Sequence, residues 1–155
     1  MDDNTLYSSI LHIHSIGRWV LLILLLIAIF RSATAGNANF THRDNRINTI
    51  LVIVADVMLL IGIYLYFVGP WGYQQIDSSG MGEAMKNPVS RFFGVEHLIG
   101  MLVAIILIHV GKAQGKKSYR GKHRRTLIFF LLALIIMLAS VPWPFRAVGA
   151  DRGWI

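Results

Sequence analysis

Residues 47–68 read INTILVIVADVMLLIGIYLYFV, a stretch in which Asp56 is the only charged side chain. About twenty apolar residues cross a hydrocarbon layer of about 30 Å as a helix, at about 1.5 Å per residue. Three further runs have the same character: residues 10–30, ending in WVLLILLLIAIF; residues 92–110, FFGVEHLIGMLVAIILIHV; and residues 126–143, TLIFFLLALIIMLASVPW. Buried strands of a soluble fold would be far shorter, and membrane strands would alternate between apolar and polar positions, which these runs do not. The expected fold is an all-α, four-helix transmembrane bundle, with residues 1–155 forming a single membrane domain.

The whole chain agrees with that reading. It has 155 residues, 55% of them hydrophobic and only 15% charged. A soluble domain carries about 25% charged residues. There is no cysteine, which excludes disulfides, thiolate zinc sites, iron–sulfur clusters and covalently attached c-type haem. The small residues at 32–36 resemble a signal-peptidase site, but the start of the chain, MDDNTLYSS, is acidic rather than basic. The first apolar run also exceeds a signal-peptide core, so it is expected to remain as a membrane helix.

The net charge of +7 is unevenly distributed. The first connecting segment holds Arg31, Arg43 and Arg46. The third holds Lys112, Lys116, Lys117, Arg120, Lys122, Arg124 and Arg125. On the opposite side stand Lys86, Arg91, Arg146 and Arg152. The positive-inside bias then places the first and third segments in the cytoplasm and both termini outside, N-out and C-out. The basic residues set topology and meet anionic lipid headgroups. No aromatic interleaving or nucleic-acid motif accompanies them, so no nucleic-acid partner is expected. Trp71, Tyr73, Trp143 and Trp154 suit an outer interfacial belt. Pro142 and Pro144 end the fourth helix, since neither has an amide hydrogen to donate. The segment 69–91 is expected as a Gly- and Ser-rich loop that caps the bundle or docks a partner.

Ionisable groups inside membrane helices are costly and mark candidate sites. Here they are His14, Arg18, Asp56, Glu96, His97 and His109, whereas His42 and His123 fall in loops and are expected to be solvated. By helical rise, His14 and His97 lie about 5 Å and about 6–8 Å below the same boundary. Being nearly level on two helices, they suit axial ligation of one haem iron. Gly94 and Gly100 flank His97, and Gly17 shares the face of His14, which suggests a groove for a flat macrocycle. Arg18, and Arg91 at the helix mouth, are candidate partners for haem propionates. His12 lies about 200° around the helix from His14 and is expected to face away from the pocket. Polar residues can also simply tie helices together: Arg18 with Asp56 as a buried ion pair, and Glu96 with Arg91 or Arg18. His109 lies about 18 Å from His97, with no level partner for a second haem. No phosphate-binding loop, zinc-protease motif or nucleophile elbow is present.

The segments Leu11-His12-Ile13-His14-Ser15, Gly17-Arg18-Trp19, Arg91-Phe92-Phe93, Val95-Glu96-His97, His123-Arg124-Arg125 and Pro142-Trp143-Pro144-Phe145 resemble those of a family of small four-helix membrane proteins. These occur in Bacteroidetes-type bacteria and are often labelled cytochrome B. The resemblance covers nearly the whole chain. It implies one haem b held by His14 and His97, the bacterial inner membrane, and electron transfer between quinol and a protein partner. Asp56 stands where a four-histidine cytochrome would want a ligand. Two alternatives remain. One is a non-catalytic subunit or homo-oligomeric scaffold whose Arg18, Asp56, Glu96 and His97 form a structural network. The other is a small proton- or metal-handling carrier.

Overall fold

The structure, a computed structural model, describes residues 3–36, 38–115 and 121–149. Trp154, Arg152, Lys116, Lys117 and Arg120 lie outside the described residues. The described chain is helical, with no strand. Its elements are α1 (Asp3–Thr34), α2 (His42–Val68), α3 (Tyr73–Ser79), α4 (Met81–Lys86), α5 (Pro88–Arg91), a π-helical turn (Phe92–Glu96), α6 (His97–Gln114) and α7 (Lys122–Ser140). Four helical segments are long and apolar enough to cross a membrane.

The expected four-helix bundle is present, with longer helices than expected. α1 begins at Asp3 rather than near residue 10. The third spanning segment runs continuously over Pro88–Gln114, because Asn87 caps it: its Oδ1 accepts from the Val89 and Ser90 amides at 2.9 and 3.1 Å, and Pro88 occupies the first turn. Proline suits that position, where no helical acceptor faces its missing N–H. The segment 69–91, expected as a loop, folds into α3, α4 and α5.

α1 packs beside α2 and α7, and α6 packs beside the same two helices. α1 and α6 therefore face each other diagonally. The core between the four is Leu21, Leu25, Leu51, Ala55, Ala104, Ile108, Phe130, Ala133 and Met137, all essentially fully buried. Small residues let the backbones approach, as membrane helix packing requires: Gly17 abuts Met58 of α2, Gly100 abuts Ser140 of α7, and Gly111 lies against the Phe130 ring. The outer surface is apolar, with Ile23, Leu60, Ile106 and Ile135 all more than half exposed. A soluble fold would bury such side chains; a bundle surrounded by lipid presents them.

The α1–α2 connection is closed by polar contacts. Thr41 and Asp44 form a reciprocal capping box, and Arg31 of α1 donates to Asp44 Oδ1 from Nη2 at 2.7 Å and from Nε at 3.1 Å. Asp44 is buried despite its charge, so it needs both partners. Asp44→Ala is expected to lower the stability of the detergent-purified protein by about 1–2 kcal/mol through loss of the cap. A thermal melt unchanged from wild type would show that the clasp contributes nothing.

Candidate functional site

The two diagonal helices bring His14 and His97 together, with ring centroids 6.4 Å apart and ring planes at 75°. Both line a cavity of about 340 Å³ between the helices, together with Arg18, Met58, Gly62, Tyr66, Met101 and Met137 among others. Trp71 and Gly72 stand at the end where α2 passes into α3. Among the described residues, Arg18 is the one lysine or arginine on the wall. Its guanidinium carbon lies 5.3 Å from the Trp19 ring centre and 5.9 Å from that of Trp143, a cation–π setting for a charge in apolar surroundings.

His97 is aimed by the end of α7. Pro142 and Pro144 have no amide hydrogens, so the helical partners of Leu138 O and Ser140 O, four residues back, are missing. Trp143 Nε1 donates to Leu138 O at 2.8 Å, and His97 Nδ1 donates to Ser140 O at 2.7 Å. Arg146 donates to Ala139 O and Val141 O at 2.6 and 3.2 Å. With Nδ1 carrying the hydrogen, Nε2 of neutral His97 holds the free lone pair. Fixing one ring nitrogen so as to present the other is how proteins orient a ligating imidazole. The π turn just before His97 inserts one extra residue per turn, and the Tyr66 hydroxyl donates to its Gly94 carbonyl at 3.2 Å. His14 Nδ1 is buried with no hydrogen-bond partner, and its Cε1 lies against Gly62, where a Cβ would stand only 3.3 Å away.

Several sequence expectations fall elsewhere. Gly17, Gly94 and Gly100 are absent from the cavity wall. They serve helix packing instead, with Gly94 under Ile76 of α3, and the glycines on the wall are Gly62 and Gly72. Arg91 pairs with Glu96 at 2.7 Å on the half-exposed rim and does not line the cavity. Arg18 and Asp56 form no ion pair: Asp56 Oδ1 lies 3.3 Å from His109 Nε2. His12 lines the same cavity as His14, not an opposite face. His42 is exposed as expected, but His123 is only 2% exposed and stacks on Phe40 at 4.7 Å. Pulled between α7 and the first connection, it is a packing residue rather than a solvated one. Among the described residues, no group of three or more His, Cys, Asp or Glu side chains is placed to hold a bare metal ion.

Ser140, Tyr66 and Gly62 were not singled out by sequence. Ser140 had a readable signal, since Pro144 four residues on leaves its carbonyl without a helical partner. Gly62 and Tyr66 had none, because their role depends on which face of α2 turns inward. No family model, curated protein or solved structure matches the chain.

Gly100→Ala is expected to force Ser140 away from α6 and weaken the His97–Ser140 bond, at about 1–3 kcal/mol, the usual cost of overpacking. Nitrogen NMR of His97 in detergent reads the bond directly, and an unchanged Nδ1–H signal would contradict the assigned contact.

Proposed function

We propose that the chain is a membrane electron-transfer subunit that carries one b-type haem between His14 and His97. The observation carrying this reading is the imidazole pair. Two imidazoles on one iron stand about 6 Å apart centre to centre, given metal–nitrogen bonds of about 2 Å, and the rings here are 6.4 Å apart. The hydrogen bond from His97 Nδ1 to Ser140 O adds support, because it leaves Nε2 unprotonated and fixed. The diagonal placement of α1 and α6 adds more, since bundle cores are where such sites are built. These residues fit the group. The cavity is at the small end of the range for ligand pockets, so seating a macrocycle requires Met58 and Met101 to swing aside. Methionine is the side chain best suited to that.

When bound, haem supplies one-electron transfer; the protein's own residues do the rest. His97 and His14 would hold the iron. Arg18, beside the paired rings of Trp19 and Trp143, would supply a permanent positive charge matched to a propionate carboxylate. Leu21, Ile105 and Met137 close the inner end of the cavity against water. Such a subunit would stand between quinol and a protein partner in the bacterial inner membrane, with both termini outside and the basic segments in the cytoplasm. The family resemblance points the same way.

The scaffold reading keeps one observation in its favour: the Arg91–Glu96 and Arg31–Asp44 pairs satisfy themselves without a cofactor. A visible spectrum separates the two. Protein purified from membranes is expected to show a Soret band, with sharp α and β bands on reduction. A colourless pure protein, after haem-supplemented expression, sinks the haem site. His14→Ala and His97→Ala are each expected to abolish the low-spin spectrum while still inserting in the membrane. His12→Ala, His42→Ala and His109→Ala are expected to keep it. Buried His123 is not used as a control, because its removal leaves a cavity.

A further inference from the structure

Asp56 of α2 and His109 of α6 face each other across two helices at 3.3 Å. They lie in apolar stretches, with side chains 48% and 46% exposed. Asp56 is flanked by Ala55 and Val57, and His109 by Ile108 and Val110. They are separate from the cavity, whose wall includes neither. Along α6, His109 is twelve residues beyond His97, about 18 Å toward the basic end.

The other ring nitrogen of His109 decides what can lie between them. Nδ1 stands 3.0 Å from the Ile105 carbonyl, which can only accept, so Nδ1 carries a hydrogen. In a neutral ring Nε2 then holds a lone pair, and it looks at a carboxylate oxygen that also holds only lone pairs. Two acceptors at that separation repel unless one of them bears a proton. A proton between the two atoms is what turns this contact from repulsive to attractive. The contact therefore makes sense as a pair that shares one proton, either as carboxylic acid beside imidazole or as carboxylate beside imidazolium.

The neighbouring helices leave this pair alone. On α6 the next charged side chain is Lys112, three residues toward the basic end. α2 has no other charged side chain between Arg46 and its end at Val68. α1, packed against α2, carries Arg18 on the cavity wall and Arg31 paired with Asp44. α7, packed against α6, carries Lys122, buried His123, Arg124 and Arg125 in its first turn and no charged residue beyond.

We propose that Asp56 and His109 form a reversible proton-binding site on the lipid-facing side of α2 and α6, distinct from the cavity and independent of whether the cavity holds haem. Half-exposure toward the hydrocarbon makes Asp56 reachable by an apolar reagent, and that gives the test. Dicyclohexylcarbodiimide reacts with a protonated carboxyl: the acid's proton goes to a carbodiimide nitrogen, the carboxylate oxygen bonds to the central carbon, and rearrangement leaves a stable N-acylurea. The full chain in lipid nanodiscs is treated with it across pH, and the adduct is located by peptide mass spectrometry.

Asp56 is expected to be labelled, with a rate that falls as the pH is raised. His109→Leu is expected to change that profile, since it removes the group facing the carboxylate at 3.3 Å. Asp56→Asn is expected to abolish the adduct at this position. Circular dichroism and a monodisperse elution profile show that each variant is folded, and labelling of exposed Glu83 and Glu96 reports that the reagent is active. No adduct at Asp56 at any pH, a rate that does not change with pH, or a profile untouched by His109→Leu in a folded variant would each overturn the proposal.

Discussion

The site depends on a hydrogen bond between a histidine of the third spanning helix and the last turn of the fourth. Helix ends leave carbonyls without partners, and in an apolar setting each unsatisfied group costs several kcal/mol. Pro142 and Pro144 remove two of the amides that would otherwise have served. The chain answers with side chains: Trp143 takes Leu138 O, His97 takes Ser140 O, and Arg146 takes Ala139 O and Val141 O. The need to satisfy a helix terminus thus becomes the device that fixes an imidazole. It also ties α6 to α7 at the end of the bundle where the cavity lies, while Gly100 keeps the two backbones close enough for the bond to form.

Charge is handled by a second rule. Away from the cavity the ionisable residues find one another: Arg31 with Asp44, Arg91 with Glu96, Asp56 with His109. These pairs have different worth. Arg91–Glu96 is nearly half exposed and contributes little, whereas the buried Asp44 is held by the cap and the arginine together. Among the described residues lining the cavity, Arg18 supplies the charge, beside the rings of Trp19 and Trp143.

Much of the architecture was legible in the residues, because hydropathy over twenty positions outweighs every local signal. Four spans, the helix stop at Pro142 and the meeting of His14 with His97 all followed from counting along helices. Two of the failures, at Arg91 and Gly94, share one cause. Counting assumes an unbroken 3.6-residue period, and the π turn at Phe92–Glu96 shifts the register by one residue. Positions before it, such as Arg91, and within it, such as Gly94, are rotated away from the face they would share with His97. Gly94 accordingly meets Ile76, and Arg91 meets Glu96. The Arg18–Asp56 pairing failed for a related reason: depth was estimated, but the side of the helix was not. The burial of His123 was hidden because its partner, Phe40, lies in a connection with no period to read.

The bond from His97 to Ser140 also sets an order on how the protein comes into being. His14 and His97 both precede α7 in the chain, yet the ring of His97 acquires its fixed tautomer only when the carboxyl end of α7 is in place. A chain interrupted before Ser140 would own both histidines and hold neither in register with the other. The carboxyl end of α7 is thereby what completes the wall around His97.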